Sequence, residues 1–390
     1  MRIVYAALDQ RVPGTTGGSV HVRAVAEGLA ALGHEVDVLT TPGAGPFPEG
    51  PARWHALAPP LGLRHLRTLR TGAVRAFAER ARAEVVIERY HNFGGEGLRA
   101  ARAIGAVAVL EVNAPVIDYP GSPKASLDKA LLVEPMRRWR DRQCRMADLL
   151  VTPAAEVLPD FVPREKIAEL EWGADTDRFA PGAGGPVPFV KRPGTVLAVF
   201  AGAFRAWHGA VHLVRAIRDL RAQGRRHVDA VLIGDGPELA RAKDEAAGVD
   251  GVTFTGAVPH DRMPACLAAA DIGVAPFDRA AHAALQLAFY WSPLKVFEYM
   301  ASGLPVVAPA IPRLERILGA EHAPLLYDIG APRALAGALA YLADREDERR
   351  RLGDAARRRV CEQFSWAAHC RKLDQAIGEA MTRRSRRCGS

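Results

Sequence analysis

One rhythm recurs along this chain and limits its fold more than any other feature: a short β-branched run, a glycine-bearing loop, then an amphipathic helix. Ile3-Val4-Tyr5-Ala6-Ala7 reads as a buried strand and is followed by PGTTGGS. Val22, Val25, Ala26, Leu29 and Leu32 then recur at helical spacing, Gly33 stops the helix, and Glu35–Thr40 reads as the next strand. Strand, helix and strand in that order make a βαβ unit, which pairs its strands in parallel through a right-handed crossover. Glu84–Glu88 and Ala106–Val112 look like further strands of the same half.

The rhythm stops near Pro181. Residues 181–194, PGAGGPVPFVKRPG, are rich in Pro and Gly and carry no periodicity, which is the composition of an interdomain linker. It then restarts. Val196–Ala201 reads as a strand, Val211, Leu213, Val214, Ile217 and Leu220 mark a helix, and Val228–Ile233 is a strand entering Gly234-Asp235-Gly236-Pro237. Val252–Thr255, Ile272–Ala275 and Pro305–Ala308 are shorter strands, and a helix bearing Leu294, Phe297, Tyr299 and Met300 ends at Ser302-Gly303. After Ala331 the pattern is helical; the last helix is expected over Trp366–Met381, with RRSRRCGS as a mobile basic tail. The alternation predicts an α/β chain of two doubly wound, Rossmann-like domains facing a cleft, 1–180 and 195–360, joined by the linker 181–194.

A chain of 390 residues is long enough for two such domains, and 49% apolar with 25% charged residues excludes a disordered or fibrous protein. The five cysteines, 144, 266, 361, 370 and 388, are widely spaced with no Cys-x-x-Cys pair. They suit reduced thiols in a cytosol and offer neither a disulfide framework nor a zinc site. MRIVYAALDQ reads as a strand entering a polar loop rather than a signal peptide, and no run is long and apolar enough to span a bilayer. A cytoplasmic protein is expected, with room for peripheral contact at the inner membrane face.

Open α/β sheets bind ligands at the carboxyl ends of their strands, where helix N-termini point. Four segments fit that place. In Gly14-Thr15-Thr16-Gly17-Gly18-Ser19, paired glycines let backbone N–H groups approach an anion, or serve packing alone. In Gly202-Ala203-Phe204-Arg205-Ala206-Trp207-His208-Gly209, Arg205 and His208 are either phosphate donors or a surface Arg and a structural His. Gly234-Asp235-Gly236-Pro237-Glu238 is a third such loop, or a tight turn with Pro at the first helical position. The fourth, YWSPLKVFEYMASG at 290–303, enters a helix with Pro293 and Lys295 in its first turn and Glu298 one turn later. An ammonium beside exposed N–H groups suits a diphosphate, and a carboxylate one turn on suits a ribose diol; an ordinary surface Lys and Glu would look the same.

These strings resemble the family 4 glycosyltransferases, retaining enzymes of the GT-B fold that use nucleotide-sugars. The marks are GG then GHEV at 17–36, WGADTDRFAP at 172–181, IGDGPE at 233–238, FTGAVPHDRMP at 254–264 and EYMASGLPVVAP at 298–309. LEVNAP at 110–115 and SPLKVFEYMASG look like those of a bacterial subgroup. The resemblance implies a C-terminal segment, 361–390, crossing back toward the first domain. It places the ribose-binding carboxylate at Glu298, with diphosphate and sugar against Pro293, Leu294, Lys295 and Val296. The base edge falls near Val258, and Gly234 is a further donor-binding residue. Gly17 and Gly18 would lie against the diphosphate or sugar. Three places depart from the family pattern: Tyr290 stands where a sugar-binding Glu is usual, and His208 and Ala203 where a Lys and an Arg are usual. Asn113 stands where many members carry an acceptor-side His.

The resemblance implies a retaining transfer, most simply from a UDP-sugar to a hydroxyl, with the acceptor attacking from the leaving-group face. Asn113, His21 and Glu111 are the residues expected to position the reaction. No Asp-x-Asp stands at a cleft loop, so neither a metal nor another cofactor is expected. The acceptor is expected to be a saccharide, a lipid-linked sugar or a small molecule, and nucleic acid is not an expected partner. A nucleotide-sugar epimerase uses the same fold, and a basic scaffold could act through Arg137, Arg138, Arg140, Arg142 and Arg145. Arg64, Arg67, Arg70, Arg75, Arg80 and Arg82, interleaved with Leu63, Leu66, Leu69, Val74 and Phe77, read either as an interfacial membrane helix or as a helix packed on the sheet.

Overall fold

The computed structural model describes residues 1–390 except 15, 120–132, 284, 286–288, 291, 332 and 389–390. Thr15 of the first loop, Trp291 of the fourth segment and the last two tail residues therefore lie outside the described residues. Contacts divide the chain into two compact units. The first is Met1–Trp172 with Ala283–Ser292 and Trp366–Ser390; the second is Gly173–His282 with Pro293–Ser365. Residues 181–194 all fall within the second unit.

The first unit holds a seven-stranded parallel sheet. Its strands are β1 (Arg2–Val12), β2 (Glu35–Pro42), β3 (Arg53–Ala56), β4 (Val85–Arg89), β5 (Val107–Glu111), β6 (Leu149–Thr152) and β7 (Ile167–Glu169). They lie in the order β3-β2-β1-β4-β5-β6-β7. The second unit holds β8 (Val196–Ala201), β9 (Val228–Ile233), β10 (Val252–Gly256), β11 (Ile272–Val274), β12 (Val306–Pro309) and β13 (Leu326–Tyr327). Their order is β10-β9-β8-β11-β12-β13, again all parallel. Both sheets reverse direction beside their first strand, the point at which doubly wound sheets open a crevice for ligands. The strands β4, β5, β8 and β9 are buried along their whole length, because helices cover both faces. That is why they read as continuous apolar runs rather than alternating ones.

The short strands β3, β6, β7 and β13 were not expected. Each is two to four residues long and carries too few residues to show a period. The C-terminal helix is longer than its apolar spacing suggests and runs Trp366–Cys388, taking in most of the basic tail. It lies against the helix Gly17–Ala31, where a Cβ at Gly28 would stand 2.4 Å from the Cys370 sulfur. Near its end Arg384 bonds Asp148 Oδ2 at 3.1 Å.

The Arg/Leu stretch is not one interfacial helix. It forms 3-10 turns at Pro60–Gly62 and Arg64–Arg70, then the helix Thr71–Arg80. Arg67, expected to face either lipid or water, is wholly buried. Its guanidinium reaches Asp9 Oδ1 at 2.9 Å, pairs with Glu96, and lies 3.9 Å from Glu88. The basic helix Val133–Met146 also turns some of its charge inward: Arg140 is buried against Asp118, and Arg145 stacks on Phe161.

Candidate functional sites in the two units

In the second unit the loops after β8, β9 and β10 are joined backbone to backbone. Gly202 N–H donates to Ile233 O, Gly234 N–H to Gly256 O, and Phe204 N–H to Asp235 O. Gly202 and Gly234 sit at φ +141° and +136°, and a Cβ on Gly234 would stand 2.0 Å from the Gly202 carbonyl oxygen. Only glycine allows both the dihedral and the approach. The Gly-Asp-Gly loop is thus a backbone crossing. Pro237 lies two residues ahead of the helix Leu239–Glu245, not in its first turn.

Arg205 is exposed, with its guanidinium 5.3 Å from the Trp207 ring centre. His208 closes a single 3-10 turn, and its Nδ1 donates to Ala203 O at 2.5 Å. A carbonyl can only accept, so that nitrogen carries the proton and Nε2 of the neutral ring is an acceptor. Burial and the nearby Lys295 push the imidazole pKa down to about 3. His208 is therefore neutral at neutral pH, with its ring N–H engaged by Ala203 O.

The fourth segment supplies a cation to this place. Pro293 caps the helix Leu294–Ala301, and Lys295 lies in its first turn, 8% exposed. Its Nζ has no hydrogen-bond partner. It sits 4.0 Å from the Phe200 ring centre and 5.4 Å from that of Phe277, and a Cβ on Gly202 would stand 3.0 Å from it. Burial lowers the ammonium pKa to about 7, with Glu298 pulling the other way. One turn on, Glu298 Oε1 lies 3.3 Å from His260 Nε2. Val258, just after β10, is half-buried, as are Leu294 and Glu298; Val296 is buried. Thus Arg205, His208, Gly234, Val258 and the segment Pro293–Glu298 all belong to the loop edge of one sheet.

Sequence reasoning passed over His260, although it lies inside the quoted FTGAVPHDRMP string. It also missed Tyr299, whose hydroxyl accepts from Ala201 N–H at 2.7 Å and anchors the helix to β8.

In the first unit, Gly17 and Gly18 open the helix Gly17–Ala31 behind the cap Thr16, whose hydroxyl accepts from Ser19 N–H. Neither glycine has a positive φ. Gly18 packs close to a side chain: a Cβ there would stand 2.2 Å from Gln10 Oε1, and the Gln10 amide would have to move.

His21, Glu111 and Asn113 do meet. His21 Nε2 lies 2.6 Å from Glu111 Oε1, and Arg89 donates to the same oxygen at 3.0 Å. Tyr5 and Asn113 also donate to the Glu111 carboxylate. Burial opposes the charge on Glu111, yet His21, Arg89 and Tyr5 hold its pKa well below the usual range. His21 is buried beneath Trp172, ring centres 4.3 Å apart, and burial lowers its pKa despite Glu111. Asn113 is only half-buried, and its Oδ1 accepts from Trp172 Nε1 at 3.0 Å. Tyr5, Arg89 and Trp172 were not foreseen, because nothing local along the chain marks a side chain that closes such a network. Tyr290, in the place of the family Glu, is 5% exposed and belongs to this unit.

Among the described residues, no group of three or more His, Cys, Asp or Glu side chains is arranged to hold a metal ion.

Residues 15–178 match the family described as Glycosyltransferase Family 4, and residues 195–345 that described as Glycosyl transferases group 1. The chain is 27% identical to a Mycolicibacterium hassiacum protein named MMP alpha-(1->4)-mannosyltransferase, over 94% of this chain and 95% of that one. It is also 27% identical to a GDP-mannose-dependent alpha-mannosyltransferase of Mycobacterium tuberculosis, over 96% and 95%. A solved structure of Anabaena Alr3699/HepE in complex with UDP superposes with a TM-score of 0.66 at 16% identity, covering 97% of this chain and all of that one.

Proposed function

Since the chain belongs to the family 4 glycosyltransferases of the GT-B fold, we propose that it transfers a sugar from a nucleoside diphosphate-sugar to a hydroxyl, with retention of anomeric configuration and without a metal ion. The observation that carries this reading is the loop edge of the second unit. There an unpartnered Lys295 ammonium faces the Gly202 backbone, with the Glu298 carboxylate one turn further along the same helix. The ammonium and the first-turn N–H groups suit a diphosphate, and the carboxylate suits the two hydroxyls of a ribose. Charge gathers on the leaving diphosphate as the anomeric bond breaks. Preorganised donors aimed at that charge are worth on the order of 10²–10³ in rate each. Lys295 and Arg205 supply the cations that the family pattern places at 208 and 203. The departing phosphate oxygen takes the acceptor proton, so no protein base is required.

On the acceptor side Asn113 is the residue assigned to contact. One of its two amide N–H groups is spent on Glu111, and the other remains for a hydroxyl. His21 and Glu111 orient it from beneath.

UDP is the nucleotide that the family resemblance implies, whereas the mycobacterial relative is named for GDP-mannose. A thermal-shift series with UDP, GDP and their sugars tests the donor reading. A ligand that binds only the folded chain stabilises it by about 2.7 kcal/mol at a hundred times its Kd. No shift with any nucleoside diphosphate would sink it. Turnover is expected to continue after thorough EDTA treatment; activity lost to EDTA and restored by Mg²⁺ or Mn²⁺ would show that the protein cations are insufficient.

For the acceptor we infer a lipid-linked or membrane-proximal saccharide. Leu61 is 89% and Leu69 68% exposed, and Leu63 and Arg64 are exposed beside them. Apolar tips beside the exposed Arg64 suit an anionic surface. Among the described residues no helix is long and apolar enough to cross a membrane. The chain should float with anionic vesicles at low salt and release as salt rises. Leu61→Ser with Leu69→Ser, or Arg64→Gln, should weaken flotation; no flotation at low salt would leave a non-membrane acceptor.

A further inference from the structure

We propose that donor binding by this chain is coupled to proton uptake at Lys295, an amine buried without a hydrogen-bond partner that the arriving diphosphate charges. The inference rests on the donor reading above and says how that site acquires its cation.

The geometry sets the amine apart from an ordinary surface lysine. It is more than nine-tenths buried, has no hydrogen-bond partner, and is covered by the rings of Phe200 and Phe277. An ammonium taken from water without compensating hydrogen bonds is costly, whereas a neutral amine in the same place is much less so. Ring faces recover part of that cost for the cation, but not the lost hydration.

The charged and titratable groups around it do not restore the balance. Glu298, on the same helix, favours the ammonium, but its carboxylate is engaged with His260. His208, on the loop after β8, is neutral and commits its Nδ1 hydrogen to Ala203 O. Arg205, on the same loop, is itself a cation and offers no counter-charge; its field helps keep His208 neutral. Tyr299, next on the helix after Glu298, is held in its neutral form by burial. Asp278, next to Phe277, faces His212 at 3.4 Å instead.

A nucleoside diphosphate adds at least two negative charges beside Nζ and supplies the missing acceptors. One N–H bond then forms at Nζ with a proton drawn from the buffer, whose conjugate base keeps the electron pair. Both effects raise the amine's pKa, so binding takes up a proton. With a free-state value of about 7, uptake on binding should be about half a proton at pH 7 and close to one at pH 8. Affinity is highest where the free amine is already charged and falls as pH rises. Kd should increase more than tenfold between pH 7 and pH 9.

The test is titration calorimetry of UDP and of GDP at pH 7, 8 and 9, in buffers of different ionisation enthalpy. Proton uptake near one at pH 8 that is lost in Lys295→Arg, whose guanidinium stays charged throughout, supports the inference. So does a Kd for that variant that no longer varies with pH. If Lys295→Arg is too crowded to bind, Lys295→Ala should bind more weakly, with heats independent of the buffer. Tight binding with no proton uptake at pH 8, or undiminished uptake in the Lys295 variants, overturns the inference and leaves the donor reading standing. Failure of both nucleotides to bind overturns the two together.

Discussion

Glu298→Ala is expected to weaken nucleoside diphosphate binding by on the order of 10²–10³-fold while leaving the second unit folded. Hydrogen bonds to a charged group are worth about 1.5–3 kcal/mol each, and a carboxylate gripping both ribose hydroxyls makes two. Each 1.4 kcal/mol is a factor of about ten, so a loss of about 3–4 kcal/mol falls in that range. The fold should tolerate the change. Glu298 is only part-buried, alanine is the best helix former, and the hydrogen bond removed is that with His260 at 3.3 Å. Calorimetric titration measures the effect directly, and an unchanged Kd in a variant with unchanged Tm would take Glu298 out of the donor site.

Arg67→Ala is expected to be the most destabilising single change in the first unit. Asp9, Glu88 and Glu96 converge on this guanidinium, and Glu88 and Glu96 are wholly buried like Arg67 itself. Burial and the neighbouring Glu96 already push the Glu88 pKa up, with Arg67 opposing them. Without the arginine, three carboxylates lose their shared counter-charge. Breaking a buried ionic cluster by removing one partner costs about 3–5 kcal/mol. For a unit of this size each kcal/mol moves Tm by about 2–4 °C, so the first unit's transition should fall by roughly 6–20 °C. The loss should shrink as pH falls, because protonating the carboxylates removes the stranded charge. Thermal unfolding of both proteins at pH 8 and pH 5.5 reads this out. Equal Tm values at pH 8 would mean that the cluster does not hold the unit together.

The same residue marks where reading along the chain stops working. Arg67 sits in an Arg/Leu stretch whose spacing suits an interfacial helix, yet its partners Glu96 and Asp9 lie 29 and 58 residues away. Nothing within a helical turn of Arg67 announces them. His260 was overlooked as a partner of Glu298 for the same reason, being 38 residues distant. Lys295 was legible as a cation at the start of a helix, but its lack of a partner and its aromatic cover come from Phe200 and Phe277 on other elements. Glu111 and His21 were picked out as positioning residues. That Tyr5, Arg89 and Asn113 saturate the carboxylate was visible only once β1, β4 and β5 lay side by side.

The sequence by itself determined the succession of strands, glycine loops and helices, the parallel sheets that succession requires, and the loops able to meet an anion. Those properties depend on neighbours a few residues apart, through side-chain period, glycine dihedrals and helix starts, and such signals survive in a one-dimensional string. The tertiary structure alone decided which charges are buried, which of them are paired, and that Lys295 is left without a hydrogen-bond partner. Burial sets the cost of a charge, and the partners that offset that cost come from strand ends and loops far apart in the chain.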